Sequence, residues 1–134
     1  MVLAACVGGV RVRVLRLVLP MPPNVLNARM HWRVKLNAKK EYFSQLDWLQ
    51  DLGGIPEPPR VPITKARISA RMVVGAEHDD DNAMARAYKL PLDWLKTRGY
   101  IVDDKRKCVR CDVPEQIVKR GAEYVVELSI SEVA

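Results

Sequence analysis

Ala66-Arg-Ile-Ser-Ala-Arg-Met-Val-Val74 is the stretch on which the fold turns. Ala66, Ile68, Ala70, Met72 and Val74 alternate with Lys65, Arg67, Ser69 and Arg71. A period of two puts the apolar set on one face of a strand and the polar set on the other. The strand leads through Gly75 to an acidic knot, Asp79-Asp-Asp81. Beyond the knot, Asp81 or Asn82 can cap a helix in which Met84, Tyr88, Leu92 and Leu95 share a side. Pro91 removes one donor from that helix and predicts a kink, and Gly99 ends it.

Working outward toward the N-terminus, Val10-Arg-Val-Arg-Val14 alternates in the same way and runs on to Leu19, where Pro20, Pro22 and Pro23 stop it. Met1 to Val10 is apolar without a charged leader and reads as a ragged approach to that strand. Asn24 to Leu36 has no clean period and reads as an ordered loop. Asn37 opens a helix to about Leu52, with Phe43, Leu46 and Leu49 on one side and Gly53-Gly54 as the stop. Toward the C-terminus, Cys108 to Val113 and the alternating Ala122, Tyr124, Val126, Leu128 and Ile130 predict two strands. The order is strand, helix, strand, helix, strand, strand. It implies one α/β (α+β) domain over residues 1–134, a mixed sheet covered by two main helices.

Composition agrees with one packed domain. The chain has 134 residues, 49% of them hydrophobic and 28% charged, enough apolar material for a core. No apolar run approaches the roughly 18 residues of a membrane span. Three cysteines imply no disulfide framework, and a reducing cytoplasm is the expected compartment. The net charge of +6 is uneven: residues 1–76 carry +8 and residues 77–134 carry −2. Two accounts fit this, a surface for a polyanion beside a spot for a cation, or chance segregation of solvated charge.

The acids sharpen the question. Asp79 and Asp81, read as the end of a strand, would project the same way, and Asp104 or its neighbour Asp103 lies just past the second helix. Three carboxylates in a small space repel unless a divalent cation joins them, and hard oxygen ligands suit Mg²⁺, with Mn²⁺ able to substitute. A calcium loop counted from Asp79 fails, because Met84 stands at the sixth position and Leu90 at the twelfth. Helix capping with a solvated acidic turn is the competing account. Lys89 and Asp93 are four apart; Lys89 either offsets charge on a phosphate or forms an ordinary surface pair. Arg29, His31, Arg33 and Lys35 surround Trp32 as candidate DNA contacts, although a tryptophan that pins its loop to the core fits equally. Arg11, Arg13, Arg67 and Arg71 form either a basic stripe or a solubilising face. His78, beside Asp79, reads as a polar loop neighbour. Cys108-Val-Arg-Cys111 has CxxC spacing but no second pair, so no zinc is expected.

Taken in order, Asp79-Asp-Asp81-Asn82, Lys89-Leu-Pro-Leu-Asp93-Trp-Leu95, Gly99 and Asp103-Asp104 resemble the RusA family of Holliday junction resolvases. Leu19-Pro-Met-Pro-Pro23, Asn27-Ala-Arg29 and His31-Trp32-Arg33 are similar to that family's N-terminal signature. The resemblance covers nearly the whole chain. It implies a homodimeric, Mg²⁺-dependent endonuclease that cuts four-way DNA junctions, with a phage source plausible for such a gene. By the same resemblance Asp79, Asp81 and Asp104 are the metal-binding acids, and Lys89 is the active-site lysine when the match is anchored on Asp93-Trp-Leu95. The segment from Asn82 to Lys89 is about one helical turn longer than in the shorter bacterial form. Counted from Asn82 without a gap, Ala85 takes the lysine position and Arg86 the next. The alternative function is a non-catalytic, basic nucleic-acid-binding protein.

Overall fold

The structure, a computed structural model, describes residues 2–7, 10–24 and 31–133. Its elements run β1 (Val2–Val7), β2 (Val10–Pro20), α1 (Trp32–Asp51), β3 (Ala66–Val74), α2 (Asp80–Thr97), β4 (Val109–Cys111), β5 (Glu115–Val118) and β6 (Val125–Glu132). The strands form one mixed sheet in the order β1-β2-β6-β3-β4, with β5 also paired to β3. β1, β2, β6 and β3 are antiparallel to their neighbours, whereas β4 and β5 run parallel to β3. A parallel return needs a crossover, and α2 supplies it. The α/β architecture expected from the sequence is therefore the one observed.

The alternation in β3 is the alternation of burial: Ala66, Ile68, Ala70, Met72 and Val74 face the core, while Arg67, Ser69 and Arg71 are exposed. Leu15, Leu17 and Leu19 of β2 and Val126, Leu128 and Ile130 of β6 extend the same inner face. α1 and α2 cover it with Tyr42, Leu46, Ala87, Tyr88, Trp94 and Leu95. Each large aliphatic chain buried there contributes about 1.5–3 kcal/mol of hydrophobic stabilisation. Tyr42 donates to the Pro20 carbonyl at 2.7 Å, and Trp94 Nε1 donates to Asp47 at 2.9 Å, so the buried rings keep their polar ends satisfied. Among the described residues no helix is long and apolar enough to cross a membrane.

Several boundaries differ from the sequence expectation. The ragged N-terminal lead-in is a strand of its own, a hairpin partner for β2. α1 starts at Trp32, five residues before Asn37, because His31 Nδ1 accepts from the Arg33 N–H at 3.1 Å and the His31 carbonyl takes the first helical bond from Lys35. Its first turns are largely exposed, so they carry no apolar period to betray them. α2 is capped by Asp79, not by Asp81 or Asn82. Helix α2 runs on through the buried Pro91 to Thr97, and just past its cap Gly99, with a φ of +82°, allows Tyr100 N–H to reach back to the Leu95 carbonyl at 2.9 Å. The strand expected over Cys108–Val113 is the three-residue β4, and β5 follows it.

Candidate active-site groove and basic surface

Asp79 is placed by its own backbone role. β3 ends at Val74, so Asp79 and Asp81 are not alternate residues of a strand; they lie in the cap and first turn of α2. Asp79 Oδ1 accepts from the Asn82 N–H at 2.8 Å, and Oδ2 accepts from the Asn82 side-chain amide at 3.2 Å. Both oxygens are thus engaged in closing the helix start. Asp80 and Asp81 are exposed in the first turn, where acidic side chains stabilise a helix.

Asp81, Met84, Ala85, Tyr88, Lys89, Leu92, Asp93 and Asp104 line one open groove of about 540 Å³. Three of the four residues that the resemblance implies for the active site, Asp81, Lys89 and Asp104, therefore share a surface; Asp79 stands outside it. Along that groove the acids are spread out. Asp81 and Asp93 are twelve residues apart, about 18 Å of helix axis at 1.5 Å per residue, and Asp104 belongs to the Asp93 end. Among the described residues no group of three His, Cys, Asp or Glu side chains is placed to hold a metal ion. Within one chain, Asp81 and Asp104 stand toward opposite ends of this groove, with Asp79 beyond it.

Lys89 stands between the two acidic ends and makes no ion pair among the described residues. Its sequence partner Asp93 instead pairs with Lys39 of α1 at 3.3 Å. Arg86, the other candidate for the cation, lies away from the groove: its Nε donates to the Pro22 carbonyl at 3.1 Å. It lines a separate cavity with Met21, Pro23 and Tyr42.

The Asp104 end is a charge network. Lys96 approaches Asp103 at 3.4 Å and Asp104 at 3.7 Å, and Lys105 approaches Asp103 at 3.8 Å. The Asp104 N–H donates to Asp103 Oδ1 at 2.8 Å. Partial burial, then the neighbouring Asp103 and Asp93 carboxylates, hold the Asp104 carboxyl above its ordinary range. For Asp103, burial pushes the same way, but its hydrogen bonds to Asp104 and Lys96 outweigh it, and the net shift is downward. The Lys96 ammonium is raised in turn, chiefly by its bond to Asp103.

The candidate DNA contacts fall at the start of α1. His31, Trp32 and Arg33 are exposed, and Trp32 keeps 61% of its surface in solvent, so it does not pin a loop to the core. The His31 ring stacks on Trp32 at 5.7 Å and the Arg33 guanidinium lies 5.2 Å from the centre of its ring. Lys35 stands one turn before Lys39, which places both on the side of α1 that meets Asp93. Arg29 and the Asn27-Ala-Arg29 motif lie outside the described residues. Of the arginine stripe, the Arg11 side chain lies outside what the structure describes, and the other three are paired: Arg13 with Glu132 at 2.6 Å, Arg67 with Asp112 at 3.1 Å and Arg71 with Glu115 at 3.3 Å. His78 is held through its backbone, its N–H donating to Gln116 at 2.8 Å and its carbonyl accepting at 2.9 Å. Cys108 and Cys111 are free thiols, and burial, then Asp112, pushes Cys111 up to about 11, which keeps it protonated and inert. No family model matches the chain, and no curated protein matches it significantly.

Proposed function

We propose that this chain is a Mg²⁺-dependent, structure-selective DNA endonuclease that resolves four-way junctions by phosphodiester hydrolysis, working in the cytoplasm as a homodimer. The observation that carries the reading is the groove itself. An unpaired lysine stands between two acidic ends, bordered by the cationic row Lys35 and Lys39. Lys35, Arg33 and His31 would hold phosphates of a DNA arm, and Lys89 would offset negative charge that develops on the scissile phosphate. Hard carboxylate oxygens are the donor set Mg²⁺ or Mn²⁺ takes, and such an ion polarises a phosphodiester.

The separation of the acids gives the dimer a chemical purpose. In a closed two-fold pair each contact occurs twice. Two grooves packed with their α2 helices antiparallel would set Asp81 of one protomer beside Asp104 of its partner, and the reverse. Two equivalent acid clusters then arise from acids that one chain keeps apart.

The test is cleavage of synthetic four-way, fork and linear duplex DNA with and without Mg²⁺. The reading expects junction cleavage only with the ion, and junction binding without cleavage for Asp81→Asn. Mixing Asp81→Asn with Asp104→Asn protomers is expected to restore part of the activity, since a mixed dimer holds one intact cluster. The second reading, a non-catalytic nucleic-acid-binding protein, draws on the use of both Asp79 oxygens in the cap. It requires that the wild type cut nothing at any enzyme concentration.

A further inference from the structure

We infer that Lys65, Arg67, Arg106, Lys107 and Arg110 form a second docking strip, for the backbone of duplex DNA, at the edge of the sheet next to the Asp104 end of the groove. The partner is the one proposed above, so the inference rests on that reading, but it involves a different surface and none of the chemistry.

Three separate segments build the strip. The parallel pairing of β3 with β4 sets Arg67 directly beside Arg110, about 4.8 Å apart in the sheet. The Ala66 N–H donates to the Cys108 carbonyl at 2.8 Å, which holds Lys65 against the turn before β4. That turn is closed by bonds from the Cys108 and Val109 N–H groups to the Lys105 carbonyl at 2.8 and 2.9 Å, and it carries Arg106 and Lys107 on its outside. All five cations are exposed. Only Arg67 is matched, by Asp112; Lys65, Arg106, Lys107 and Arg110 make no ion pair among the described residues. Elsewhere on the sheet, Arg13 and Arg71 are each neutralised by an acid.

The composition of the strip selects its ligand. No aromatic side chain belongs to it, whereas single-stranded nucleic acid is held largely by ring stacking and protein interfaces by buried aromatic and apolar anchors. Flexible cations without rings are what a phosphate backbone takes, and they position it without reading sequence. Lys105 follows Asp104 in the chain and approaches Asp103 at 3.8 Å, which joins the strip to this acidic end, so an arm gripped here would enter the groove from that end.

The test is fluorescence anisotropy of a labelled duplex and a labelled four-way junction in EDTA over a range of KCl. Each phosphate contact contributes roughly 0.9 to the slope of log affinity against log salt. The triple variant Arg106→Ala/Lys107→Ala/Arg110→Ala is expected to reduce that slope by about 2 to 3, with an unchanged circular-dichroism melt. The pair Arg106→Gln/Lys107→Gln, confined to the turn, is expected to reduce it by about 1 to 2. Lys119→Ala/Arg120→Ala, after β5, serves as the comparison and is expected to leave the slope as it is. An unchanged slope in the turn variant, or an equal fall in the comparison variant, overturns the strip. A wild type that binds with a steep slope but cuts nothing in Mg²⁺ overturns the nuclease reading and leaves the strip standing.

Discussion

Replacing Asp79 separates two roles that one carboxylate would have to play. Its two oxygens accept from Asn82 at 2.8 and 3.2 Å and so close the start of α2. Alanine removes both bonds, and loss of such a cap costs about 1 kcal/mol. The dipole contribution shrinks less, because Asp80 and Asp81 remain in the first turn. With an unfolding entropy of about 2.1 cal/mol/K per residue, a domain of this length loses roughly 3–4 °C in Tm per kcal/mol. Asp79→Ala is therefore expected to melt about 3–4 °C below the wild type. Asparagine caps as well as aspartate, so Asp79→Asn is expected to melt within about 1 °C of it. Differential scanning calorimetry of the three proteins in one buffer decides the matter. Equal losses for the two variants, or none for alanine, would refute the capping argument. Junction cleavage measured on the same samples isolates the charge: the metal-binding role that the family resemblance implies for Asp79, which stands outside the groove of its own chain, expects Asp79→Asn to keep its stability and lose its activity.

Other expectations are shorter to state. Asp104 has a raised carboxyl in the folded chain, so its ionisation works against folding as pH rises through the acid range; Asp104→Asn is expected to raise Tm at pH 7, with the gain vanishing below about pH 4, while junction cleavage falls. Glu132 behaves oppositely: its bond to Arg13, opposed by its own partial burial, lowers its carboxyl. The resulting stability is present above the usual glutamate value of about 4.3 and is lost as pH falls through the lowered one; acid melts of Glu132→Gln are expected to lack that component. Met72→Ala, in the fully buried centre of β3, is expected to cost about 2–5 kcal/mol in urea unfolding. Trp32→Ala is expected to move stability by no more than about 0.5 kcal/mol and to weaken DNA binding; a loss on the core scale would contradict its exposure.

The sheet and its helices were legible because β3, β2 and β6 each bury one face and leave the other wet, which writes a period of two into Ala66–Val74 and Val125–Glu132. The start of α1 was not, because its cap is a histidine ring nitrogen and its first turns bury nothing large. The β5 strand was hidden in four residues whose own burial pattern shows no alternation. Of the site, the sequence identified the residues that line the groove, Asp81, Lys89 and Asp104, but spacing alone could not reveal that a helix would hold Asp81 and Asp104 apart. Asp93 was noticed only as a partner for Lys89, and its pairing with Lys39 depends on how α1 lies against α2, which no local pattern encodes. The run Lys105-Arg-Lys107 carried a plain signal in its charge, yet its meaning came from β3 and β4, which bring Lys65, Arg67 and Arg110 beside it.

The outer margin of β3 is shared by two short strands, β4 and β5, with the buried Pro114 in the gap between them. Neither piece is longer than four residues, and proline offers no amide hydrogen. A stray extended peptide, or an unfolding neighbour in a crowded cell, finds no uninterrupted template for zipping onto this rim. The broken rim is thus a built-in guard against fibril-like stacking, and filling the gap with β-formers, as in Pro114→Val, would be expected to turn an edge that resists pairing into a sticky one.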